Sequence, residues 1–183
     1  ANSPILIDMA SDSVEHVFLK HSSDKLRQMA GRIVTCLDKL DDAAIWSREG
    51  ENQNAVGNLV LHLCGNVRQW IGFGVAGQPD IRARDREFQA RGGVTRDELK
   101  ERLSAVVEDA ASTIASLGSG ELMAKTKIQN YELTKLEAIY HVVEHFSQHT
   151  GQIIFAAKLA TGEDLGFYKH LNPGKAAAAH GEK

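Results

Sequence analysis

Apolar residues recur along this chain at intervals of three and four rather than two, in four separated runs. The first run, Val14, Val17, Phe18, Leu26, Met29, Ile33, Val34 and Leu37, predicts a helix from about Ser11 to Leu40, stopped by Asp41-Asp42. The second starts near Asn52 or Asn54, carries Val56, Leu59, Val60, Leu63, Val67 and Trp70, and fails around Gly72, Gly74 and Gly77 before Pro79. Thr95-Arg-Asp-Glu98 has the form of a capping box, in which two side chains satisfy each other's free backbone donors. It opens a third helix on Leu99, Leu103, Val106, Val107, Ala110, Ile114 and Leu117 that ends before Gly118. A second capping box, Thr134-Lys-Leu-Glu137, opens a fourth helix that runs to Gly162, a length of roughly 40 Å.

The connections differ in character. Gln78 to Gly93 is charged and irregular, with Phe88 alone among Arg82, Arg84, Arg86 and Arg91, and reads as a long crossover loop. Ser119 to Leu133 alternates too weakly to predict a strand, although Lys127 to Tyr131 has extended character. With no internal repeat and no βαβ pattern, the expected fold is all-α, a four-helix bundle. Residues 1–171 form the expected single domain and 172–183, with the Ala176 to Ala179 run, an expected loose tail.

Composition narrows the partners. At 183 residues, 43% of them hydrophobic, the chain can bury one core. A net charge of -3 and a pI near 6.3 supply no basic footprint, which argues against nucleic acid or an anionic membrane surface. No apolar run approaches a membrane span, and the first residues lack the basic end and long apolar segment of a secretory signal. Cys36 and Cys64 form neither a disulfide framework nor a zinc pair, so a reducing cytoplasm is the expected compartment.

Chemistry enters through the histidines. His145 and His149 are one turn apart in the fourth helix and share a face, so both imidazoles can close on one ion. His62, in the second helix, is a third candidate, with Asn66 one turn beyond it as a polar neighbour able to orient a ligand or contact a substrate. At about 100° per residue, His149 lies roughly 75° from the centre of the apolar face, His145 roughly 115° and His141 roughly 155°. The wheel therefore puts His149 and His145 at the core's edge and His141 toward water. His16 and His21 are the remaining geometric candidates for a fourth ligand. His141-Val-Val-Glu-His145 matches a zinc-protease pattern only formally, because its first histidine points away from the core. A ferritin-like di-iron site is excluded, since none of the eight histidines has a glutamate three positions before it.

One histidine in helix two and His-x-x-x-His in helix four, on this bundle, resemble the DinB-like metalloprotein superfamily. The likeness is strongest to a branch labelled as a domain of unknown function. It is carried by Gly57-Asn-Leu-Val-Leu-His62-Leu-Cys-Gly-Asn66-Val-Arg-Gln-Trp-Ile71, Arg84-Asp-Arg-Glu-Phe88, His141-Val-Val-Glu-His145-Phe-Ser-Gln-His149-Thr-Gly-Gln-Ile-Ile154 and Asp164-Leu-Gly-Phe-Tyr168. The resemblance implies an up-down-down-up bundle and His62, His145 and His149 as ligands of one divalent ion, nickel or zinc. It also implies a homodimer, which the apolar end of helix four would suit, although the C-terminal segment folding over that surface is the plainer reading. The superfamily includes enzymes that use low-molecular-weight thiols, so the activity the resemblance implies is metal-dependent thiol transfer or conjugation, with a small molecule as substrate. Metal-dependent hydrolysis and a non-enzymatic, metal-braced binding or stress-response module are the alternatives. Asn66, Gln148 and Gln152 are the expected pocket residues; no residue is singled out as catalytic.

Overall fold

The computed structural model describes residues 13–171; the expected tail and the first two residues of the predicted first helix lie outside them. Six α-helices occur among the described residues: α1 (Val14–Asp38), α2 (Asp42–Trp46), α3 (Val56–Val67), α4 (Arg84–Gln89), α5 (Arg96–Ala115) and α6 (Lys135–Thr161). Four of them are the predicted long runs. The local signals act as read: Thr95 and Glu98 cap α5 reciprocally, Thr134 and Glu137 cap α6, and α6 stops at Gly162. Ser13 caps α1, its hydroxyl accepting from the His16 amide at 3.1 Å.

α1 packs against both α5 and α6, and α3 does the same from the other side. Their apolar stripes meet in one core in which Leu26, Ile33, Leu37, Leu63, Leu103 and Phe146 are fully buried. Burial of such side chains, at about 1.5 to 3 kcal/mol each, drives the assembly.

Three features depart from the sequence reading. The second helix ends within its glycine cluster as read, at Val75 just before the left-handed Gly77 (φ 74°), but its last eight residues are not α-helical. It continues past Val67 as a π-helical stretch, Arg68–Val75, where Gly74 lets Ile128 pack in the space a Cβ would fill. Second, the fold is not purely α. Lys125–Ile128 (β1) and Tyr131–Thr134 (β2) pair antiparallel, turning through Gln129, whose φ of 54° is left-handed. Only Ile128 and Thr134 of these strands are buried, so no alternation marked them. The hairpin is anchored by Thr126, whose hydroxyl donates to the Gly74 carbonyl at 2.7 Å. Third, the charged crossover contains α4.

The Asn58 side chain ties α4 to α3. Asn58, fully buried, accepts from the Ala55 amide at 3.1 Å and donates to the carbonyls of Glu87 and Ala90, both at 2.9 Å. The irregular crossover is thereby held over the middle of α3, where His62 lies.

At the end of α6, Leu165 and Phe167 pack on the core, and Arg32 lies over the Phe167 and Tyr168 rings. Phe155 and Leu159 remain exposed. No helix among the described residues is long and apolar enough to cross a membrane.

Candidate metal centre

α3 and α6 run past each other with His62 on one and His145 and His149 on the other. His62 is buried; the other two are half-buried. The three Nε2 atoms converge: His145 Nε2 lies 3.0 Å from that of His62 and 3.1 Å from that of His149. Nitrogens bound to one zinc-sized ion at 2.0 to 2.1 Å would stand roughly 3 to 3.4 Å apart, so the spacing suits a shared ion.

The outer nitrogens explain why these atoms face inward. His62 Nδ1 pairs with Glu87 Oε2 at 2.9 Å, and His149 Nδ1 with Gln152 Oε1 at 2.7 Å. An acceptor on Nδ1 holds the proton there and leaves the Nε2 lone pair free. Two lone pairs thus aim at His145 Nε2, whose single proton can satisfy only one of them. A cation meets all three nitrogens at once.

Protonation is held off as well. Burial first, and then the neighbouring His149 and His62, push His145 down to about 3. Burial also lowers His149, against the hydrogen bond its Nδ1 donates to Gln152 Oε1. Neutral imidazole is the form that binds metal.

Among the described residues, His62, His145 and His149 form the one group of three or more ligating side chains placed to hold a metal ion. His16 and His21 are exposed on α1 and do not join it. Among the described residues, no fourth protein ligand therefore closes the site.

Glu87 is the functional residue that the sequence reading missed. The acceptor that orients His62 is this carboxylate from α4, not Asn66. Burial raises the Glu87 pKa, but hydrogen bonds from Arg82 and His62 more than offset that and hold it below the ordinary glutamate value. Arg82 grips both carboxylate oxygens at 2.8 and 2.9 Å and reaches Gln69 Oε1 at 3.0 Å. The Glu87 carboxylate occupies the space a side chain on Gly65 would need. Spacing within α3 and α6 carries no trace of this, because Glu87 comes from a connection. Its one sequence cue is the stretch from Arg84 to Phe88 noted in the family resemblance.

Glu87→Gln keeps the hydrogen bond but loses its charge, and is expected to weaken metal binding about 10- to 100-fold by competitive chelator titration. Gly65→Ala, which touches no ligand, should do the same by displacing the carboxylate. Wild-type affinity in both variants would rule out orientation of His62 by Glu87.

Beside the imidazoles lies a cavity of about 500 Å³, walled by Asn66, Trp70, Arg84, Gln129, Tyr131 and His141 together with His62 and His145. Asn66 Oδ1, Trp70 Nε1 and His145 Nδ1 are buried there without a hydrogen-bond partner. His141 does not face water as the wheel implied. It is half-buried, its ring 3.8 Å from the Trp70 ring, because the π-helical stretch lays that indole over α6. Gln148 is exposed and outside the cavity wall, whereas Gln152, also exposed, supports His149.

A mostly helical bundle with a three-histidine group that can hold a metal ion is the class of protein these features define. The chain belongs to the family described as "Protein of unknown function (DUF1572)", whose model matches residues 13–171. It is similar in fold to a solved structure described as the conserved protein of locus from Enterococcus faecalis, with a TM-score of 0.67 at 15% identity, covering 78% of this chain and 96% of that one. No curated protein matches.

Proposed function

We propose that this chain is a DinB-like metalloenzyme with the up-down-down-up helix order, holding one nickel or zinc ion on His62, His145 and His149. The observation that carries the reading is the convergence of three Nε2 atoms, joined by no fourth ligand among the described residues, beside a cavity large enough for a small molecule. A divalent ion held there supplies Lewis acidity that eases deprotonation of a thiol or a water. The chain's own part is to bind and orient. Trp70, Tyr131 and His141 offer aromatic surface, and Arg84, poised 4.9 Å over the Phe88 ring, offers a cation at the rim.

Thiol transfer is the favoured reaction, on the family resemblance. The cavity's carboxylate, Glu137, is engaged in capping Thr134, which leaves it poorly suited to act as a general base for hydrolysis. A low-molecular-weight thiol brings its own nucleophile and needs less help. The reconstituted protein should consume thiol with an electrophilic co-substrate, and His145→Ala should not. Ester or amide hydrolysis without thiol consumption would overturn the transferase reading.

Metal removal gives an independent check. Ion present at about a hundred times its Kd adds about 2.7 kcal/mol of stability, a rise of roughly 5 to 11 °C in Tm for a domain this size. Chelated protein should melt lower by that amount and recover with nickel or zinc. An unchanged Tm would count against a site formed only in the folded chain. A homodimer joined over Phe155 and Leu159 belongs to the same proposal.

A further inference from the structure

A second cleft, of about 250 Å³, is lined by both Arg82 and Glu87, and Arg82 also stands in the wall of the cavity just described. Its lining contains four arginines: Arg68 from the π-helical stretch, Arg82 from the crossover, Arg86 from α4 and Arg102 from α5. Glu87 is the only carboxylate in that lining, and it is already engaged by Arg82 and His62. Among the described residues, Arg68, Arg86 and Arg102 form no ion pair, while Arg27 and Arg82 do.

This arrangement is not a local charge run on one helix. Four segments separated by up to 34 positions each contribute a guanidinium to the same concavity, in a chain whose net charge is negative. Gathering four guanidinium groups around one carboxylate that is already engaged is unfavourable, and an anion in the cleft relieves it. We propose that the cleft is a binding site for the phosphate or diphosphate group of a small molecule.

Phosphate suits the donor set better than a carboxylate does. A phosphate monoester carries about -1.5 to -2 charges and three terminal oxygens, enough for three forked guanidinium groups, whereas a carboxylate offers two oxygens and one charge. The volume admits a diphosphate group. The cleft is fitted for binding rather than covalent chemistry: its one thiol, Cys64, is buried and pushed up to about 12 by desolvation, so it is no nucleophile at neutral pH.

The test is calorimetric titration of the full chain with inorganic pyrophosphate, phosphate and citrate at constant ionic strength. Metal-free protein is used, because an ion on the histidines would itself attract pyrophosphate. Pyrophosphate is expected to bind saturably, more tightly than citrate, and His145→Ala should bind it as wild type does. Arg68→Gln, Arg86→Gln and Arg102→Gln should each weaken it about tenfold, while Arg32→Gln, across the molecule, should not. These side chains are exposed, and circular dichroism confirms that each variant is folded. No saturable binding below about 10 mM, equal binding of citrate, or wild-type affinity in the triple variant would overturn the assignment. Loss of binding in His145→Ala would instead assign the anion to the metal centre.

Discussion

His62→Ala, His145→Ala and His149→Ala proteins are each expected to purify without bound transition metal, where the wild type carries about one ion per chain. The proposed site has three candidate ligands and no spare among the described residues, so each substitution leaves two. If a structural zinc site of four ligands is worth about 10 to 16 kcal/mol, one imidazole contributes on the order of 3 kcal/mol, a loss of more than a hundredfold in affinity. His141→Ala is the informative control. Its ring stacks on Trp70 and lies 5.6 Å from the His145 ring, yet it is outside the converging group. Elemental analysis of the four variants beside wild type decides the matter. Equal metal loss from His141→Ala would mean that cavity packing, not ligation, holds the ion, and absence of metal from the wild type after reconstitution would end the metalloenzyme reading.

The second large effect concerns the core. Phe146 sits between the two metal-candidate histidines of α6, turned the other way and fully buried. Phe146→Ala removes a large apolar side chain and leaves a cavity that packed helices fill only in part, at a cost of about 3 to 5 kcal/mol. Total stabilities are commonly about 5 to 15 kcal/mol, so the variant should lie near the edge of folding. Phe155→Ala, nine residues along the same helix at a position 65% exposed, should change the stability of the protomer by about 0.5 kcal/mol or less when the protein is too dilute for the proposed homodimer to form. Urea denaturation of chelated protein separates the two. An equal cost at Phe155 at higher protein concentration would show that its face is covered in solution, as the proposed homodimer requires.

The same Phe146 and Phe155 show where sequence reading is strong. A period near 3.6 sorts positions into buried and exposed, and caps set boundaries. Both are local properties of the chain, which is why the four long helices, their capping boxes and the stop at Gly162 were legible without coordinates. The i, i+4 pair His145 and His149 is local in the same sense. His62 is a candidate from its place in the second helix, but its assignment to the same ion comes from the resemblance, because no periodicity within α3 states which flank faces α6.

What lay beyond the sequence depends on contacts between elements. Glu87 and Arg82 sit in a charged connection with no period to read, and they reach His62 only because Asn58 ties α4 to α3 and Gly65 leaves room for the carboxylate. His141 looked solvent-facing on its own helix and is covered by an indole from another. The hairpin escaped because its four-residue strands bury one residue each, too few to alternate. The sequence by itself determined the helices and the residues able to ligate. Tertiary structure alone decided which side chains orient them, since a hydrogen bond between distant segments depends on how the elements pack, and spacing along one element does not encode that.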